Sequence, residues 1–299
     1  MNVLISGSRG LIGSALVPYL TARGRTVTRL VRGPAQPGGT EIPWGPTQGK
    51  LDPLMLEGHD AVVHLAGENL AAGRWTPKRK AEILASRVKG TRLLAKTLAG
   101  LAQPPQVMVC ASAIGYYGDR GEEVLTEESP VGKGFLAEVC TAWEAASEPA
   151  AEKGIRVVRL RFGVVLSPAG GALAKMLVPF KLGLGGRIGD GRQYMSWIAL
   201  EDVLGTVLLA LTDKSLAGAV NAVAPPAVTN LDFTKTLGRV LTRPTVFPVP
   251  AFALRLAFGE MAEETLLASN RVRPAKLLAR GFEFRFPELE AALRHMLAR

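Results

Sequence analysis

The chain has 299 residues, 36 Lys and Arg against 26 Asp and Glu, a formal charge of +10 and 47% hydrophobic residues. That length and apolar content suit one large or two unequal domains, while the lack of a membrane-length apolar run or of a basic stretch before the first apolar residues leads us to expect a cytoplasmic protein with no membrane partner. Two cysteines (Cys110, Cys140) and three scattered histidines (His59, His64, His295) form no metal or disulfide pattern, and the positive charge comes without a nucleic-acid-binding motif, so anionic ligands such as nucleotides explain it better than nucleic acid does.

Val3–Ser6 is a short apolar run suited to a buried strand. Gly7, Gly10 and Gly13 follow as G-x-x-G-x-x-G, and Leu11, Ala15, Leu16, Tyr19 and Leu20 then recur at helical spacing until Gly24. Thr26–Arg32 reads as a second strand. Strand, glycine turn, helix and strand make a mononucleotide-binding βαβ unit. Its glycines allow a sharp turn, close approach of backbone N–H groups to a pyrophosphate, and tight packing of a helix whose N-terminus favours negative charge. Gly7, Ser8, Arg9, Gly10, Leu11, Ile12 and Gly13 are therefore the expected cofactor-binding loop.

The second strand decides which dinucleotide. An acidic residue near its end holds the ribose 2′-OH of NAD, whereas a basic residue accommodates the 2′-phosphate of NADP. This strand carries Arg29 and ends in Arg32, Arg9 lies in the glycine loop, and no carboxylate stands between Ser6 and Glu41. Converging guanidiniums suit a phosphate, so NADP is the expected cofactor; solvated strand-end charges are the alternative.

Gly33 to Gly58 is rich in Pro and Gly, with one short strand near Glu41–Trp44. Asp60–Gly67 is a buried strand ending in a small-residue turn, where open α/β sheets bind ligands. His64 within it reads as a packed core residue rather than a general base. After a polar loop, Lys78–Leu101 is a long helix with Ile83, Val88, Leu93, Leu94 and Leu98 toward the sheet. Gln106–Ser112 is a strand followed by the turn Ala113–Asp119; Phe135–Lys153 is mostly helical and Ile155–Val165 is one strand. The alternation predicts an α/β fold with a doubly wound parallel sheet of the Rossmann type. Beyond Leu166 come a Gly-rich stretch (Gly183–Gly191), Met195–Ile198, a helix Glu201–Leu211 and a strand Ala219–Ala222 that return to the sheet. From Pro225 onward, seven prolines mark a smaller, mainly helical C-terminal cap domain. The expected division is 1–165 (core), 166–224 (mixed segment) and 225–299 (cap).

The glycine loop, Asp60–Gly67, Gly90-Thr91-Arg92-Leu93-Leu94, Ser112 with Tyr116-Tyr117-Gly118, and Ile155–Ser167 resemble an extended short-chain dehydrogenase/reductase. Leu65-Ala66-Gly67-Glu68-Asn69, Glu82 with Ser86-Arg87, Trp143-Glu144, Gly170–Leu173, Pro179–Gly186, Met195–Ile198 and the tail from Thr229 through Phe282 resemble its atypical, sugar-nucleotide-epimerase-like subgroup. The resemblance spans nearly the whole chain. It implies an NADP-binding Rossmann domain, a small C-terminal domain of unassigned role, and cofactor contacts from Val31, Arg32, Leu65, Ala66, Glu82, Arg87 and Val165, with Gly67 beside them in the strand-end turn. Glu82 and Arg87 stand about 140° apart on their helix, so they need not be partners, and either could be a plain surface charge.

Working members of the wider superfamily use Tyr-x-x-x-Lys on a helix, the lysine helping the phenol to move a proton. Counting back from Glu144, Leu136 stands at the tyrosine position and Cys140 at the lysine position, and the chain contains no Tyr-x-x-x-Lys. Ser112, Tyr116 and Tyr117 remain as catalytic candidates near the expected nicotinamide; in the alternative reading both tyrosines pack. Cys140 reads as a buried helix position rather than a nucleophile. Lys175, Lys181, Arg187 and Arg192 either meet an acidic substrate or are solvated. The sequence thus supports an NADP(H)-binding oxidoreductase or epimerase acting by hydride transfer on an unknown small polar substrate. A non-catalytic NADP(H) sensor is the rival, and a homodimer stays open.

Overall fold

In the computed structural model, which describes residues 1–35 and 39–298, the chain opens with β1 (Asn2–Ser6), α1 (Leu11–Thr21) and β2 (Thr26–Val31). β1 and β2 run parallel, with Val3 beside Val27 and Ser6 beside Leu30, as a βαβ unit requires. β3 (Glu41–Pro43) adds an edge strand; residues 36–38 of the predicted meander lie outside the described residues. β4 (Ala61–His64), α2 (Pro77–Ala99) and β5 (Val107–Ala113) follow. Thr76 accepts the Arg79 N–H on its hydroxyl and Pro77 occupies the first turn, so α2 starts where capping chemistry dictates.

After the short β6 (Val124–Leu125), the predicted helix Phe135–Lys153 is two helices, α3 (Phe135–Ala145) and α4 (Glu148–Glu152). Pro149 has no N–H to continue the ladder, and the Ser147 hydroxyl donates to Glu144 O at 2.6 Å, so the chain turns there. The predicted strand Ile155–Val165 also divides, into β7 (Arg156–Phe162) and β8 (Val164–Ser167). Gly163 is the break: a Cβ there would lie 2.6 Å from Ser196 O and 2.8 Å from a Val223 methyl. Past that crossing β8 leaves the sheet. Then come α5 (Gly171–Lys181), β9 (Tyr194–Met195), β10 (Trp197–Ala199), α6 (Leu200–Thr212), β11 (Gly218–Ala222) and β12 (Val228–Thr229). The remainder is α7 (Asn230–Leu241), α8 (Ala251–Phe258), α9 (Glu260–Ala262), a π-helical turn Glu263–Leu267, β13 (Arg271–Val272), α10 (Ala275–Ala279) and α11 (Leu289–Met296).

Seven strands form the main sheet in the order β11-β7-β5-β4-β1-β2-β3, every neighbour parallel. Alternate side chains of each strand feed two cores. Ile5, Val63 and Leu160 pack with Leu16 of α1 and Val207 of α6 on one face; Leu4, Val62 and Met108 pack with Leu94 of α2 on the other. Burial on both faces explains why these strands read as continuous apolar runs. The fold is the doubly wound parallel sheet expected. A third core joins Leu166, Leu173 and Trp197 to Phe233, Leu237, Phe286 and Leu293, so residues 166–199 share their packing with the C-terminal helices. Asp202, buried in the first turn of α6, accepts the N–H groups of Arg285 and Phe286 at 2.6 and 3.1 Å and ties the C-terminal tail to that helix.

Candidate functional site

The loop between β1 and α1 is built for close approach. Gly7 has φ +72°, and a Cβ on it would lie 2.7 Å from the Leu65 carbonyl carbon; a Cβ on Gly13 would lie 2.2 Å from Gly7 O. Gly10 is the N-cap of α1 and no side chain caps that end. The Ser8 hydroxyl is buried and has no hydrogen-bond partner among the described residues. A cavity of about 860 Å³ opens above this loop, walled by Leu30–Gly33, Trp44–Gln48, Leu65–Glu68 and the α2 residues Arg79, Glu82, Ser86 and Lys89. An uncapped helix N-terminus, an orphaned hydroxyl and a backbone no side chain can cover together fit a pyrophosphate.

Of the residues expected from the sequence, Gly7, Ser8, Arg9, Gly10, Val31, Arg32, Leu65, Ala66, Gly67 and Glu82 meet at this cavity. Gly13 is buried beneath it. Leu11 and Val165 lie away from the cavity walls, against Gly170–Gly171: the Leu11 side chain is 3.1 Å, and Val165 O 3.6 Å, from where a Gly171 Cβ would be. Ile12, half-buried, packs against the core under α1. Arg87 is buried and does not wall the cavity. It donates to Ile83 O at 3.2 Å and Glu68 O at 3.0 Å, with its guanidinium 5.0 Å from the Trp143 ring centre, so it braces the Gly67–Glu68 turn from behind.

The charges sort themselves along the β2 edge. β3 places Glu41 beside Arg29, and its carboxylate lies 3.2 Å from Arg29 and 3.7 Å from Arg9. Arg29 is thus committed to the neighbouring strand; the guanidiniums on the β2 side of the cavity are Arg9 and Arg32, with Arg79 on the α2 side. Arg32 lies 3.4 Å from Glu68, which also faces Arg79 at 3.5 Å, while Arg79 meets Glu82 at 3.1 Å. The sequence reading missed Arg79, Ser86 and Lys89. The spacing 79, 82, 86, 89 is one face of a helix, so counting turns outward from Glu82 finds them; Trp44 and Gln48, on an irregular stretch, give no such signal.

At the C-terminal end of β5 lies a second cluster. Ser112 is buried and donates to Glu144 Oε1 at 2.7 Å. Glu144 forms a two-point pair with Arg161 at 2.8 and 2.9 Å. Arg161 donates to the Tyr117 hydroxyl at 3.0 Å, and that hydroxyl donates to Asn221 Oδ1 at 2.7 Å. The Arg161 guanidinium also stacks 3.5 Å from the Tyr116 ring centre. Burial works against its charge, but the hydrogen bonds and charge of Glu144 raise its pKa. Tyr117 has no exposed surface, and burial raises its pKa despite the pull of Arg161. It therefore fills the packing role, leaving the half-buried Tyr116 and Ser112 as the candidates at this strand end.

The remaining candidates resolve simply. Cys140 is buried beside Ala113 O at 3.6 Å, and burial pushes its thiol up to about 12. Leu136 packs on Gly115. His64 is fully buried, hydrogen-bonded through Nδ1 to Ser6 Oγ at 2.6 Å and through Nε2 to Thr91 Oγ1 at 3.0 Å, and burial pushes its pKa down to about 4. Lys175 reaches Ala71 O at 3.4 Å and Arg187 reaches Asp190 O at 3.2 Å, while Lys181 and Arg192 are exposed. Three further contacts close the cleft between the lobes: Arg74 to Leu256 O at 3.2 Å, Lys80 to Glu260 at 2.8 Å, and Glu264, which takes the N–H groups of Phe135 and Leu136 at 2.7 Å each. Among the described residues no group of three or more His, Cys, Asp or Glu could hold a metal, and no helix is long and apolar enough to cross a membrane.

Comparison with known proteins agrees with this geometry. Residues 249–296 match the model of a domain of unknown function (DUF1731). The "Epimerase family protein Mb2239" of Mycobacterium bovis is 44% identical over 299 residues, covering 99% of this chain and 98% of its own. The human "Epimerase family protein SDR39U1" is 39% identical with full coverage of both. The crystal structure of human SDR39U1 (isoform 2) with NADPH superposes with a TM-score of 0.91 at 38% identity over the whole of both chains. That of a nucleoside-diphosphate sugar epimerase from Corynebacterium glutamicum gives 0.83 at 40% identity, over 99% of this chain and 58% of the other. With residues 3–222 matching its model, and with its NAD(P)-binding fold, the chain belongs to the NAD dependent epimerase/dehydratase family.

Proposed function

We propose that the protein binds NADP(H) across the glycine loop and transfers hydride between the nicotinamide and a small polar carbonyl or alcohol substrate. One observation carries the cofactor preference: the cavity beside β2 is flanked by Arg9 and Arg32, and β2 itself bears no carboxylate. Ser8 and the uncapped end of α1 would hold the pyrophosphate, and Arg32 would exchange Glu68 for the 2′-phosphate. That human SDR39U1 crystallised with NADPH supports this preference, although other similar folds hold NAD.

When bound, the cofactor would accept the hydride from an alcohol or give it to a carbonyl; the chain must orient the substrate and take up or return the accompanying proton. In this reading Ser112, its proton directed at Glu144, accepts a hydrogen bond from a substrate hydroxyl, and Tyr116 is the proton-transfer group at the strand end. The buried free cysteines Cys110 and Cys140 suit work in a reducing cytoplasm.

Calorimetry with NADP⁺ and NADPH tests the proposal, together with Arg32→Glu, which should weaken NADP(H) far more than NAD(H). No heat with either cofactor, or equal losses for both pairs, overturns it. A non-catalytic NADP(H) sensor is the second reading, favoured by Leu136 and Cys140, which can move no proton on α3 at neutral pH. Tight NADPH binding without turnover across aldehydes, ketones and sugar nucleotides would decide for it.

A further inference from the structure

Eight large hydrophobic side chains among the described residues are at least 57% exposed, and seven of them lie in two short stretches of the C-terminal lobe. Val178, Leu182 and Leu184 belong to residues 174–192; Val246, Phe247, Phe252 and Leu256 belong to residues 243–258. The two stretches run side by side. Val249 N–H donates to Arg187 O at 2.8 Å, Gly189 N–H to Val249 O at 2.9 Å, and Arg243 Nε to Lys181 O at 2.9 Å. Val178 on α5 with Leu182 at its C-cap, and Phe252 with Leu256 on α8, are pairs four residues apart, so each pair forms a stripe along one side of its helix. α8, with the sequence Ala-Phe-Ala-Leu-Arg-Leu-Ala-Phe, buries none of its residues. A concentration of exposed apolar groups of this kind marks an interaction surface.

Charge selects the occupant. The same two stretches carry six exposed cations, Lys175, Lys181, Arg187, Arg192, Arg243 and Arg255, against a single carboxylate, Asp190. Arg255 pairs with Glu263 beyond the stretch, and the rest have no carboxylate within ion-pair distance in the described residues. Leu, Val and Phe side chains projecting from a cationic surface match a lipid bilayer with anionic headgroups: the hydrocarbon accepts the apolar side chains and the phosphates accept the cations.

We propose that this face of the C-terminal lobe binds anionic membrane surfaces peripherally. The sequence led us to expect no membrane partner because no run is long enough to span a bilayer, and no helix among the described residues is long and apolar enough to cross one. A contact lying in the interface needs no spanning segment. The inference is independent of which cofactor the Rossmann lobe binds.

Flotation with vesicles of phosphatidylcholine mixed with phosphatidylglycerol, against pure phosphatidylcholine vesicles, tests it on the full chain. The protein should float with the anionic vesicles only, and less so as salt rises. Phe252→Ser with Leu256→Ser should cut the bound fraction at least roughly tenfold, as expected when two large apolar side chains no longer enter hydrocarbon. Lys181→Glu with Arg243→Glu should cut it by about as much; this variant keeps every apolar residue and decides the matter if the serine variant melts early. No flotation with anionic vesicles, or equal flotation of the parent and both variants, overturns the proposal. So does a parent that self-associates in sedimentation while the serine variant stays monomeric and vesicles bind neither, since the face would then be an interface between copies.

Discussion

Ser112 and Glu144 are joined by a 2.7 Å hydrogen bond in which the serine donates and the carboxylate, already paired with Arg161, accepts. The bond fixes the direction of the Ser112 proton and leaves its lone pairs as the only free valence toward a ligand. Ser112→Ala should leave NADPH affinity intact and lower any turnover; unchanged rates with a competent substrate remove Ser112 from the chemistry.

Glu144 is also the counterion that lets Arg161 be only 4% exposed. Removing one member of a buried pair leaves the other charge uncompensated, at a cost of about 3–5 kcal/mol. Glu144→Ala should lose stability on that scale in urea denaturation. A loss below about 1 kcal/mol would mean that water reaches Arg161.

His64 makes the stability depend on acid. Its pKa falls from 6.5 in the unfolded chain to about 4 in the folded one because burial opposes the charge. A depressed folded value contributes stability that is fully present above pH 6.5 and is lost as the pH falls toward about 4. The urea midpoint should drop over that window, by about 3 kcal/mol in total. His64→Gln should flatten the dependence, and an unchanged slope would assign it to other groups.

Gly13 lies inside α1, where propensity alone would make Gly13→Ala stabilising by about 1 kcal/mol. The missing space outweighs propensity, since the new methyl would meet Gly7 O at 2.2 Å and Ser8 Cα at 2.7 Å. The variant should bind NADPH at least roughly tenfold more weakly, as expected when the anion-holding loop is displaced. Native affinity in titration would show that the loop yields cheaply.

The βαβ unit is legible in the sequence because its determinants are local: an apolar run, three spaced glycines and a helical repeat. The cluster at β5 is not. Ser112 and Tyr117 share one stretch, but Glu144, Arg161 and Asn221 come from three others, and no periodicity links them. Adjacent tyrosines illustrate the same limit: Tyr116 and Tyr117 are alike in sequence, yet the 3₁₀ turn at Ile114–Tyr117 buries one completely and leaves the other half-exposed. The break in the Ile155–Val165 run did have a local marker, a glycine inside a strand pattern, but only the Ser196 and Val223 contacts show why a glycine stands there.

The crossing at Gly163 has a mechanical corollary. It couples the strand that anchors the Rossmann sheet to the strand that begins the C-terminal lobe, with Ser196 and Val223 wedged against it. Breathing of the two halves cannot be accommodated there by sliding, so Gly163 acts as the spine. At the opposite margin Arg74, Lys80 and Lys175 fasten the halves by contacts that solvent readily replaces, and Glu264, holding the Phe135 and Leu136 N–H groups, adds a part-buried one.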